Sequence, residues 1–110
     1  WELYPHQIST FNEINRGNNV ILNSPTGSGK TLAGFMPAIV DFINSASSTQ
    51  LHTIYISPLK ALAADVKRNL INPINDLNIN IKVETRTSDT SAYIKKRQTK
   101  TPPDFLMTTP

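Results

Sequence analysis

The stretch Ser24-Pro25-Thr26-Gly27-Ser28-Gly29-Lys30-Thr31 stands between a short apolar run, Val20-Ile21-Leu22, and a long run of helical period. A strand that feeds a Gly-rich turn, which in turn opens a helix, leaves few folds to choose from. Gly27 and Gly29 let successive backbone N–H groups converge on one concavity, the geometry an anion needs. Lys30 would set its ammonium on the β- and γ-phosphates of a nucleotide, and the Thr31 hydroxyl would ligate Mg²⁺. The helix that follows presents its N-terminal N–H groups and positive dipole end to the same anion. The pattern is G-x-x-x-x-G-K-[ST] with Ser24 in place of the first Gly. The bland reading is a Gly/Ser-rich turn, and the strand before it and helix after it count against that.

The rest of the chain keeps the same alternation. Pro5 fits the first turn of a helix, where its missing N–H does no harm. Ile8, Phe11 and Ile14 would form its apolar stripe, with a stop at Gly17. Residues 20–23 read as a short buried strand. Leu32, Phe35, Met36, Ile39, Val40 and Ile43 recur at helical spacing, which predicts one helix from Lys30 to Asn44 despite Pro37. Residues 52–57 read as a second buried strand, broken by Pro58. Leu59, Leu62, Ala63, Val66 and Leu70 again have helical spacing, and Pro73 bends or restarts that helix. Ile79, Ile81 and Val83 alternate with polar residues, a third strand near a sheet edge. Residues 91–100 are a polar helix with Tyr93 and Ile94 inward, capped by Asp89 or Thr90. Residues 104–108 are a fourth strand.

Alternating strands and helices predict a parallel sheet with helices on both faces. Ligands of such sheets bind outside the carboxyl ends of the strands. Ser24, Pro58 and Thr109 would then lie along one rim.

Bulk composition narrows the classes. One domain is the ceiling for 110 residues, and 38% apolar content allows a core. The net charge of +3 is too mild to establish a nucleic-acid partner alone. There is no cysteine, so no disulfide frame and no Cys-based zinc site. No run of about 18 apolar residues suggests a membrane span. The N-terminal residues do not resemble a signal peptide, and a cytoplasmic location is expected. A start without Met and an end on Thr-Thr-Pro read as cuts at both ends.

Four stretches resemble one family, the superfamily 2 DEAD/DEAH-type helicases, and within it the Lhr, or large helicase-related, type. Tyr4-Pro5-His6-Gln7 resembles the Q motif, and the 24–31 loop resembles motif I. Tyr55-Ile56-Ser57-Pro58-Leu59-Lys60-Ala61-Leu62, with Ala63-Ala64-Asp65-Val66 after it, resembles motif Ia. Arg86-Thr87-Ser88-Asp89-Thr90 and Thr108-Thr109-Pro110 resemble later nucleic-acid-contacting motifs, with Ser88 where an R-T-G-D-T segment has Gly. The resemblance implies an α/β fold, the P-loop NTPase (RecA-like) parallel sheet, present in part. Residues 1–110 would be the start of the first RecA-like lobe. The family's Asp-Glu-x-His motif, which supplies the Mg²⁺-binding acid and the water-activating Glu, would follow Pro110. The chain alone is therefore expected not to turn over ATP.

The resemblance also implies residue roles. Gln7 would read the adenine edge, against the bland alternative of an exposed amide in a first helical turn. Tyr4 would pack beside the base or merely staple the helix start. Pro25, Thr26, Gly27, Ser28 and Gly29 would cradle the phosphates of ATP, Lys30 and Thr31 acting with them and Thr31 holding Mg²⁺. Pro58, Leu59 and Lys60, with Ser57, and then Thr108, Thr109 and Pro110, would touch the phosphates of a nucleic-acid strand, DNA before RNA, against the bland alternative of an ordinary strand–Pro–helix junction. Lys95-Lys96-Arg97 reads better as a solvated helix face than as a binding patch. The implied function is the ATP-binding part of an ATP-dependent helicase or translocase. The rivals are a different P-loop NTPase, such as a nucleotide kinase or transporter ATPase, and a non-enzymatic nucleotide-binding remnant.

Overall fold

The computed structural model describes residues 3–23, 30–45 and 51–110. The chain divides into two compact units, Trp1–Ser45 and Ala46–Pro110.

The first unit contains two packed helices among its described residues, α1 (Pro5–Asn15) and α2 (Lys30–Asn44). Pro5 opens α1, as its fixed φ and missing N–H favour. Gly17, at φ 84°, turns the chain away behind it, in the left-handed region that costs glycine nothing. The buried face of α1 is not the expected apolar stripe. Ile8 and Ile14 are exposed, and Gln7 and Thr10 are buried instead. Both polar side chains satisfy themselves on nearby backbone, which removes the penalty for burying them. Thr10 Oγ1 donates to the His6 carbonyl at 2.7 Å, and Gln7 Oε1 accepts from the Tyr4 N–H at 2.8 Å.

The amphipathic run after the loop forms one helix across Pro37, as its spacing requires. Ala33, Phe35, Pro37 and Ile39 are its buried positions. Residues 20–23 are not a strand. Residues 18–23 carry no regular structure, and Ile21 is 98% exposed. A strand exists only by pairing, and the described residues of this unit offer no other strand to pair with.

The second unit is a three-stranded parallel sheet with two helices. In chain order its elements are β1 (Thr53–Ile56), α3 (Lys60–Asp76), β2 (Val83–Arg86), α4 (Ala92–Lys100) and β3 (Phe105–Thr108). The strand order is β1-β3-β2, so the last strand sits in the centre. Phe105 stands opposite Thr53 on one side and Val83 on the other, and Thr108 opposite Ile56 and Arg86. Phe105 and Met107 are fully buried, as central-strand apolar residues should be. Helix α3 packs against β2 and β3, with Ala63, Val66, Leu70 and Ile74 as its buried stripe. Leu59 and Leu62, expected in that stripe, are exposed because they fall at and just past the helix start.

Pro73 does not break α3, which runs on to Asp76 and ends where Asn78 adopts φ 55°. Asparagine tolerates that conformation better than most residues. The third expected strand begins only at Val83; Ile79 and Ile81 lie before it. Asp104 fixes this entry, its Oδ2 accepting the Lys82 N–H at 2.8 Å.

Two expectations about α4 fail. Its N-cap is Ser91, whose Oγ accepts the Ile94 N–H at 3.2 Å, so neither Asp89 nor Thr90 caps it. Thr90 is occupied elsewhere, accepting the Thr87 N–H. Tyr93 is 80% exposed and Ile94 is exposed too. The helix is anchored instead by polar groups. Gln98 Nε2 donates to the Thr85 carbonyl and Glu84 Oε1, and Arg97 donates to Glu84 Oε1 at 2.6 Å.

Candidate functional site

The candidate residues fall on both units. In the first, Gln7 sits in the first turn of α1 and is only 3% exposed, so it is not the exposed amide of the bland reading. Its amide oxygen folds back on the Tyr4 N–H and fixes the side chain against the helix start. Tyr4 precedes the helix, and its ring stacks on His6 with centroids 5.7 Å apart and planes 12° apart. That stack holds the helix entry while leaving Tyr4 exposed.

Lys30 and Thr31 are the first two residues of α2, and both are exposed. The start of a helix carries N–H groups without intrahelical partners and a positive dipole end. An ammonium, a hydroxyl and those N–H groups form the donor set a phosphate and its metal ion require. Among the described residues no group of three or more His, Cys, Asp or Glu could hold a metal ion. Ser24, Pro25, Thr26, Gly27, Ser28 and Gly29 lie outside the described residues.

In the second unit the three strands end together, and side chains and backbone tie their carboxyl ends into one rim. The Ser57 N–H, just after β1, donates to the Thr108 carbonyl at 2.9 Å. Thr108 Oγ1 donates to the Arg86 carbonyl at the end of β2 at 2.6 Å. Pro58 and Thr109 therefore follow neighbouring strands on the same edge, as the parallel alternation requires. Pro58, Leu59 and Pro110 are exposed on this edge and Thr109 is half-buried.

Ser57 is not available to a ligand. It is 1% exposed, and its Oγ bridges the Leu59 N–H and carbonyl at 3.3 and 3.2 Å. That turn swings the chain into α3. No side chain caps α3, so its first-turn N–H groups face the rim without a side-chain acceptor. Lys60, the first residue of α3, is not isolated there. Its Nζ donates to Ser88 Oγ at 3.1 Å and Asp89 Oδ1 at 3.2 Å.

Sequence reasoning missed this link, which joins two motifs 28 residues apart. The only signal was that each motif leaves a strand on the same edge. The loop that presents Ser88 and Asp89 is tightened from within: the Thr87 N–H donates to Thr90 Oγ1 and the Asp89 N–H to Thr87 Oγ1.

Known proteins resemble the chain over nearly its whole length. The family model for DEAD/DEAH box helicases matches residues 4–110. The ATP-dependent helicase Lhr-Core of Sulfolobus acidocaldarius is 44% identical over an alignment that covers 96% of this chain and 13% of that protein. The Lhr helicase/uracil glycosylase of Escherichia coli is 35% identical, covering 94% of this chain and 8% of that one. Among solved structures, Mycobacterium smegmatis helicase Lhr bound to ssDNA and AMP-PNP superposes with a TM-score of 0.84 at 37% identity, covering 98% of this chain and 15% of that one. The DUF1998 helicase MrfA bound to DNA and AMPPNP gives 0.86 at 33% identity, over 96% and 14%. The chain thus spans 8–13% of the length of these curated relatives.

Proposed function

Because this chain belongs to the DEAD/DEAH box helicase family, we propose that it forms the ATP-binding start of an ATP-dependent helicase or translocase of the Lhr type, whose track is a nucleic-acid strand. The observation that carries this reading is Lys30 and Thr31, exposed at the start of a 15-residue helix within a match that runs from residue 4 to residue 110. ATP held there would supply the free energy for movement. Lys30 would neutralise its terminal phosphates, Thr31 would give Mg²⁺ one oxygen ligand, and the helix start would supply N–H donors. Pro25, Thr26, Gly27, Ser28 and Gly29, which lie outside the described residues, would cradle the phosphates. Gln7 selects adenine, its amide already aligned by the bond from the Tyr4 N–H, and Tyr4 flanks the base.

The rim of the second unit positions the strand. Pro58, Leu59 and Lys60 at the uncapped start of α3, and Thr109 and Pro110 after β3, contact backbone phosphates. Such contacts fix register without reading sequence. DNA is the favoured strand, since the two solved relatives above were bound to DNA. A nucleotide kinase or transporter ATPase would have no use for this rim.

The test is ATP hydrolysis by the full-length protein with and without single-stranded DNA or RNA. Stimulation by a strand, abolished by chelating Mg²⁺, is the expected result. Hydrolysis indifferent to any strand overturns the reading.

A further inference from the structure

Beside the rim, between α3, residues 87–91, β2 and α4, lies a cavity of about 640 Å³, wholly inside the second unit. Its walls carry three cations, Lys60, Lys67 and Arg97, and two carboxylates, Glu84 and Asp89. Both carboxylates are already engaged. Asp89 holds Lys60, and Glu84 accepts from Arg97 at 2.6 Å and from Gln98 at 3.0 Å. Lys67 is half-buried and forms no hydrogen bond or ion pair with another described residue. Its charge acts on Glu84, which Arg97 already engages, so three cations share two carboxylates and the cavity has one positive charge in excess.

The hydroxyls of the cavity point the same way. Thr87, Thr90 and Ser91 each accept a backbone N–H, from Asp89, Thr87 and Ile94 respectively. Each keeps its own O–H to give. Lys60 and Lys67 stand on one face of α3, two turns or roughly 10 Å apart. The Lys60–Asp89 pair has side chains 50% and 77% exposed, so it is weak and exchangeable. These hydroxyl donors stand beside the excess positive charge, a setting that suits an anion better than a cation.

We propose that Lys67 is a further strand-binding residue, which with Lys60 and the hydroxyls of residues 87–91 holds a backbone phosphate of the nucleic acid in this cavity. The assignment rests on the nucleic-acid reading given above and extends the track from the rim to the outer side of α3. It asks nothing of base identity.

The experiment is binding of a labelled single-stranded oligonucleotide to the full-length protein across a salt series. Lys67→Ala should weaken binding about tenfold at low salt, the size of one charged hydrogen-bonded contact. It should also make the slope of log affinity against log salt shallower by about 0.7, the value for one phosphate on a single strand. Lys67→Arg should restore both. Lys96→Ala, on the exposed side of α4 and outside the cavity, should leave both near wild type. Unchanged affinity and slope in Lys67→Ala overturn the proposal. So does lost affinity with an unchanged slope, which marks a packing effect. Lys67-dependent binding of inorganic phosphate, with strand affinity unaltered, would make this an anion site unconnected with the strand and also overturns it. A wild-type protein that binds no strand overturns the nucleic-acid reading itself, and Lys67 with it.

Discussion

The two units would carry the proposed chemistry in different ways. In the first, identity carries it: Lys30 and Thr31 open a helix and Gln7 is locked to its own helix start, with local spacing deciding everything. In the second, placement carries it. Ser57, Lys60, Arg86, Ser88 and Thr108 are ordinary residues until a parallel sheet brings three strand ends together. A motif search finds the first kind of site. Only topology builds the second.

The largest effect that would sharpen this contrast is at Lys30. Lys30→Ala in the full-length protein should lower ATP hydrolysis by roughly a hundredfold or more, the scale of one charged donor at a phosphoryl group. Hydrolysis near the wild-type rate would remove identity as the basis of the first unit's role.

Next comes Lys60→Ala. It should weaken strand binding by several-fold to about tenfold, equally for unrelated sequences, with a shallower salt dependence. Discrimination between sequences would show that the rim reads bases. Asp89→Asn tests the same spot from the opposite side. Removing the carboxylate that holds Lys60 should raise strand affinity by a few-fold, since an exposed pair is worth at most about 1 kcal/mol. A fall in affinity would mean that Asp89 chiefly shapes the loop.

Gln7→Ala should bring ATP and GTP affinities closer by about 1 kcal/mol, close to fivefold, measured by nucleotide competition. An unaltered preference would leave Gln7 as a helix cap only.

The smallest effect is at Glu84. Burial pushes its carboxyl up, but hydrogen bonds from Arg97 and Gln98 and the charges of Arg97 and Lys67 outweigh burial, so its pKa lies below the ordinary value. A depressed carboxyl contributes stability that is present above the unfolded value, about 4.3, and lost as pH falls through the folded one. Amide exchange of α4 in the full-length protein should therefore quicken below about pH 4. In Glu84→Gln that acid-dependent step should vanish. An identical acid response in both proteins would dismiss the Glu84–Arg97 pair as the anchor of α4.

How much of this was legible beforehand follows from the same contrast. The helix from Lys30 to Asn44 was readable in extent, because six apolar positions from Leu32 to Ile43 repeat at one period over about three turns. Helix α1 was readable in extent but not in face. Nothing in the period of Ile8, Phe11 and Ile14 says that Gln7 and Thr10 can be buried at little cost by bonding to nearby backbone. The run Val20-Ile21-Leu22 has strand composition yet forms no strand, since pairing is a property of neighbours. Tyr93 was misread because a nine-residue helix held by Arg97 and Gln98 has no need to bury an aromatic ring. In the second unit the carboxyl-edge rim followed from the alternation of elements, but the Lys60–Ser88 contact required the register of β1 and β2 against β3. Register is set by pairing geometry that no local pattern prints.

The bonds across the strand ends have a mechanical meaning. Ser57 to Thr108 and Thr108 to Arg86 clamp three parallel strands at the end nearest the proposed track. A tug on Lys60 enters the sheet where its strands are laced together. The load is then shared by several hydrogen bonds strained side by side, and they do not open one after another. Cutting the lacing at Thr108 would leave the same fold with a softer grip, so that work done on the strand would be spent on stretching the protein.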